Sequence, residues 1–166
     1  TVSGASAKIY ATDGLVVNEA ISNLGGLTLG GTTVQLQDVV NAGESAELII
    51  NGDSGTGGSV IVNGSFVNGS SANGYDASVS VSANTINFAG GLINYSGSFD
   101  IVGSQLNVGQ LSALGGVVFV DTFGVSASGI TVDGGTLNLD NSVANMIVTG
   151  RVDVAGDVVL GGTADI

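Results

Sequence analysis

Apolar residues in i, i+2 pairs recur along this chain every 19 to 21 residues, and that period constrains the fold more than any other feature of the sequence. One column of pairs runs Ile21, Val40-Ala42, Val60-Val62, Val79-Val81, Phe99-Ile101, Val118-Val120, Leu137-Leu139 and Val158-Leu160. A second runs Ala7-Ile9, Leu27-Leu29, Ala46-Leu48, Phe66, Ile86-Phe88, Leu106-Val108, Val125-Ala127, Ala144-Met146 and Ala164-Ile166. A third is visible at Leu15-Val17, Val34-Leu36, Leu92, Leu111-Ala113, Ile130-Val132 and Val152-Val154. It lapses near Ser54 and Ala72, where Gly, Ser and Asn take over.

An apolar pair with a mostly polar residue between it is the signature of a strand buried on one face. Three such strands, separated by Gly, Asn, Ser and Asp turns, make one coil of 19–20 residues. One coil alone has no way to bury its inward side chains, whereas a stack of coils forms a continuous dry column. The expected fold is therefore all-β: a three-faced parallel β-solenoid (β-helix) of about eight coils, with residues 1–166 as a single domain. At about 4.8 Å per coil the stack is about 38 Å long. The absence of Pro fits, since Pro removes a ladder donor from any interior coil. An antiparallel sandwich also explains short strands, but not the long constant spacing.

Composition narrows the chemistry. With 43% hydrophobic residues the chain can bury a core. It has no His and no Cys, which removes imidazole bases, thiolate nucleophiles and ordinary zinc sites. Lys8 and Arg151 are the only cationic side chains against fourteen carboxylates, giving a net charge of -12 that repels nucleic acid and anionic lipid. No apolar run reaches membrane-spanning length, so no transmembrane segment is expected. A chain that opens on Thr1 rather than Met fits one from which a leader has been removed, or a piece of a longer protein.

Coils such as residues 129–139, with the phrase Gly134-Gly135-Thr136-Leu137-Asn138-Leu139, resemble those of secreted β-solenoid surface proteins of the filamentous-haemagglutinin and autotransporter-passenger type. The likeness rests on coil length and covers nearly the whole chain. It implies secretion and a role in adhesion, aggregation or a surface filament, and it transfers no binding residue.

The expected function is that of an extracellular, cell-surface structural subunit, not an enzyme, that self-assembles head to tail into a filament, sheath or surface layer. Ala7, Ile9, Leu15 and Ile21 mark one end of the stack, and Val152, Val158, Ala164 and Ile166 the other. An uncovered end recruits another strand edge, and the column order lays Ala7 over Ala164, Leu15 over Val152 and Ile21 over Val158. The alternatives are an adhesin fragment that binds host or carbohydrate ligands, with Tyr75 and Tyr95 as stacking surfaces, and thirdly a carboxylate glycosidase.

Other positions carry narrower expectations. Ile61, Phe119 and Val159 fall between inward pairs of the first column, as an outward row for lateral packing between subunits. Asn87, Asn107, Ser126 and Asn145 form the matching outward ladder on the second. Asp121 and Asp140, 19 residues apart after inward pairs, should sit in adjacent coils about 5 Å apart. They either share a calcium ion with backbone carbonyls, with Asp100 or Asp133 nearby, or are two solvated turn residues. The missing calcium nonapeptide favours the second reading, and no other cofactor is expected. Asn63-Gly64-Ser65, Asn68-Gly69-Ser70 and Asn94-Tyr95-Ser96 match the N-glycosylation acceptor pattern.

Overall fold

A computed structural model of the chain describes residues 1–53, 57–140 and 143–161. Among the described residues sixteen strands form one continuous sheet in which every pairing is parallel. The sheet winds as a β-solenoid with three faces.

Face I is built by β1 (Val2–Tyr10), the second half of β3 (Ile21–Gly30), β6 (Glu47–Gly52), the first half of β9 (Ser78–Phe88), the openings of β11 (Ser98–Ala113) and β12 (Val117–Val132), β13 (Thr136–Leu139) and β16 (Asp157–Leu160). Face II takes β2 (Gly14–Val16), β4 (Thr33–Leu36), β7 (Ser59–Val62), the end of β9, the middles of β11 and β12, and β14 (Asn145–Val148). Face III takes the start of β3, β5 (Val39–Asn41), β8 (Phe66–Asn68), β10 (Leu92–Asn94), the ends of β11 and β12, and β15 (Val152–Val154).

The alternation read from the sequence sets which side chains enter the core. In β9 the residues Val79, Val81, Ala83, Ile86 and Phe88 are buried, while Ser78, Ser80, Ser82 and Asn87 lie at the surface. Each fully buried Leu, Ile or Phe contributes about 1.5–3 kcal/mol. At mid-stack each face supplies one aromatic ring: Phe66 from face III, Phe88 from face II and Phe99 from face I. Their centroids lie 4.8–5.9 Å apart with the rings edge to face.

The coils are less uniform than the period implies. Face I aligns Ala7, Leu27, Leu48, Val79, Phe99, Val118, Leu137 and Val158, and the step from Leu48 to Val79 spans 31 residues. Face II aligns Leu15, Val34, Val60, Ile86, Leu106, Val125 and Met146. Face III aligns Ile21, Val39, Phe66, Leu92, Leu111, Ile130 and Val152. The three sequence columns are therefore spliced across faces in the middle of the chain. The extra length sits at two corners, between β6 and β7 and between β8 and β9, the same stretches where the third column lapses.

Three inward pairs are also out of register. Val39 and Asn41 point inward while Val40 is exposed, a slip of one residue, which exchanges the two sides of the sheet. Leu48 and Ile50 take the places expected for Ala46 and Leu48, and Met146 and Val148 those expected for Ala144 and Met146; each is a slip of two residues, which keeps the side.

Candidate functional site

The most distinctive surfaces are the two ends of the stack. At the last described coil, β14 and β15 pair with β12, and β16 with β13, and among the described residues none of the three has a second partner strand. Inside this coil opens a hollow of about 150 Å³ with an entirely apolar lining that includes Leu139, Met146, Val148, Val152, Val154 and Val158. Positions sealed in earlier coils are open here: Leu139 is 1% exposed, but its partner Leu160 is 40%, and Val132 is 0% exposed against 52% for Val154.

The first coil mirrors this. Ala7, Leu15, Val17 and Ile21 are only partly buried against the core, and Ile9 is 47% exposed where its partner Leu29 is 1%. The named residues thus do lie at the ends, but their faces differ from the expected stacking. Ala7 shares face I with Val158, Leu15 shares face II with Met146, and Ile21 shares face III with Val152. The pairings of Leu15 with Val152 and of Ile21 with Val158 are corrected accordingly. Ala164 and Ile166 lie outside the described residues.

The expected lateral row is divided. Phe119, Asn138 and Val159 do line up on face I, but Ile61 belongs to face II between Gln35 and Asn87. The face I position assigned to it holds Ile49, next to Ser80. Asn87, Asn107 and Ser126 align on face II, yet Ile147 rather than Asn145 continues their line, because of the two-residue slip in β14.

Asp121 and Asp140 occupy adjacent coils at the corner from face I to face II. Val120 pairs with Leu139, and the Asp140 amide donates to the Val120 carbonyl at 2.9 Å. Asp100 lies on the coil below Asp121 and its carboxyl is held above the ordinary range by burial. Asp133 is elsewhere, opening the corner from face III to face I. Among the described residues no group of three or more His, Cys, Asp or Glu side chains converges as a metal site. Tyr75 and Tyr95 each lie at a III-to-I corner, where the Ser96 hydroxyl donates to the Tyr75 carbonyl; both residues are half-buried.

One feature escaped the sequence reading. Asn23, Asn41, Asn68 and Asn94 are fully buried on face III and form an internal ladder. Each side-chain amide donates to the next carbonyl oxygen, at 2.7 Å from Asn23 to Asn41 and 2.8 Å at the next two steps. The phrases Ile21-Ser22-Asn23, Val39-Val40-Asn41, Phe66-Val67-Asn68 and Leu92-Ile93-Asn94 carry the signal. The ladder also overturns two glycosylation readings, because Asn68 and Asn94 have no exposed surface; Asn63 is exposed.

No helix among the described residues is long and apolar enough to cross a membrane. Comparison of the chain with protein-family models, curated proteins and solved structures gave no match.

Proposed function

We propose that this chain is an extracellular structural subunit whose coils add end to end into a filament, sheath or surface layer. The observation that carries this reading is the pair of open ends. One is an apolar hollow beside three strands that have a single partner strand each among the described residues, and the other is a half-buried coil of the same three-faced shape. Stacking a second copy buries Ile9 and Leu160 and satisfies ladder groups on both partners, which a smooth polar solenoid end would not do.

Such a contact joins two different surfaces and does not close on itself, so it propagates. The β-solenoid architecture and the resemblance to secreted surface solenoids support the same reading. So does a net charge of -12 with only Lys8 and Arg151 as cationic side chains, too few for nucleic acid or phosphate binding. Negative-stain microscopy with sedimentation tests it. Filaments one solenoid wide are expected above a threshold concentration, and compact monomers at every salt and calcium concentration would overturn the proposal.

A further inference from the structure

We infer that Asn63 is a site of spontaneous covalent modification. Of the Asn-Gly pairs at Asn51, Asn63, Asn68 and Asn73, it is the one at which the following main-chain nitrogen attacks the asparagine side chain, giving a succinimide and then aspartate and isoaspartate. The inference does not depend on how copies of the chain assemble.

The chemistry needs only water. The Gly64 N–H gives its proton to solvent base, the nitrogen bonds to Asn63 Cγ, and the Cγ–Nδ2 bond breaks, so that Nδ2 leaves as ammonia with a proton from water. A water molecule then opens the five-membered ring at either carbonyl. Glycine favours the attack because no Cβ crowds the nucleophile. The nitrogen must also be exposed to base and not committed to a carbonyl.

The corner between β7 and β8 meets these conditions. Three residues, Asn63, Gly64 and Ser65, join Val62 to Phe66, whereas only Gln37 and Asp38 join their partners Leu36 and Val39 in the preceding coil. The extra residue breaks the match of amides to carbonyls. The Asn63 N–H donates to the Leu36 carbonyl at 3.0 Å, and the Ser65 N–H to Asp38 Oδ1 at 2.8 Å. Among the described residues the Gly64 N–H between them and the Asn63 side-chain amide have no hydrogen-bond partner. Asn63 is exposed and Gly64 half-buried. Packing imposes the glycine, since an added Cβ at Gly64 would clash with the Asp38 carboxylate.

Each of the other pairs is held. Asn51 and Gly52 lie within β6, where pairing to β9 keeps the backbone extended and Gly52 is buried. Asn68 is locked in the internal ladder, and the Gly69 N–H donates to the Asn41 carbonyl at 2.8 Å. Asn73 is exposed, but the Gly74 N–H donates to the Ser70 carbonyl at 3.2 Å. Conversion at Asn63 would set a second carboxylate on the corner that holds Asp38, and the isoaspartyl product would lengthen the main chain there by one methylene.

The test is incubation of the purified full chain at mildly alkaline pH, folded and in parallel in denaturant. Lys8 and Arg151 give trypsin too few cuts, so the products are located by electron-transfer fragmentation of the intact chain. In the folded chain Asn63 should convert about tenfold faster than Asn51 or Asn68 and about threefold faster than Asn73, and in denaturant the four rates should draw within about threefold of one another. Labelling by an isoaspartyl methyltransferase should follow the Asn63 product. Conversion at Asn51, Asn68 or Asn73 that matches or outpaces Asn63 in the folded chain would overturn the assignment. So would an Asn63 that stays intact while the denatured chain converts.

Discussion

Asn68 sits in the core with its side-chain amide donating to Asn94 Oδ1 at 2.8 Å and to the Ala77 and Ser98 carbonyls at 3.1 Å. Its own carbonyl oxygen accepts from Asn41 at 2.8 Å. Buried polar groups left without partners are expensive, so Asn68→Ala should cost about 2–4 kcal/mol in urea unfolding; a loss below about 1 kcal/mol would contradict the ladder. Asn68→Asp should be worse at neutral pH, because a carboxylate has no proton to give to Asn94 or to the two backbone carbonyls. Asparagine in a turn-rich chain reads as a surface residue, and only the repeated apolar-x-Asn phrase distinguishes these four. Asp100 makes a second point at this scale. Burial raises its pKa above the usual 3.8, so its contribution to stability is full below the ordinary aspartate range and is lost as pH rises through the raised value. Asp100→Asn should remove that pH dependence and alter stability at neutral pH by about 0.5 kcal/mol or less, as followed by melting from pH 3 to pH 7.

At the scale of the element, corners decide what the period leaves open. Val34 to Val60 and Val60 to Ile86 are each 26 residues, so each long corner adds about the length of one face. An insertion of that size keeps apolar pairs in step with a 20-residue ruler while moving them to a different face. The sequence therefore shows the existence of three faces and the number of coils, but not which mid-chain strand joins which column. Only hydrogen-bond register separates these cases, since Val60 is equally apolar on either face. Regular corners have a different requirement. Gly116 turns from face III to face I at φ 69°, and an added Cβ would clash with the Gly97 carbonyl oxygen. Gly116→Ala should therefore cost at least about 2 kcal/mol, measured by denaturant unfolding. Phe88→Ala, which removes one ring from the mid-stack trio, should cost about 3–5 kcal/mol by the same measurement.

The described residues form a short rod whose first and last coils are its least buried. The sides were largely legible in the sequence, because alternation and the missing Pro specify them. Ala7, Ile9, Leu15 and Ile21 lie in the first coil and Val152 and Val158 in the last described one, but the faces they were expected to share differ, since the splicing of columns carried through to the expected stacking. The most direct measurement is X-ray fibre diffraction from oriented assemblies of the purified chain. End-to-end growth places the strand spacing of about 4.8 Å on the meridian, along the fibre axis. A 4.8 Å reflection on the equator, which would mean rods packed side by side across the fibre, would contradict it.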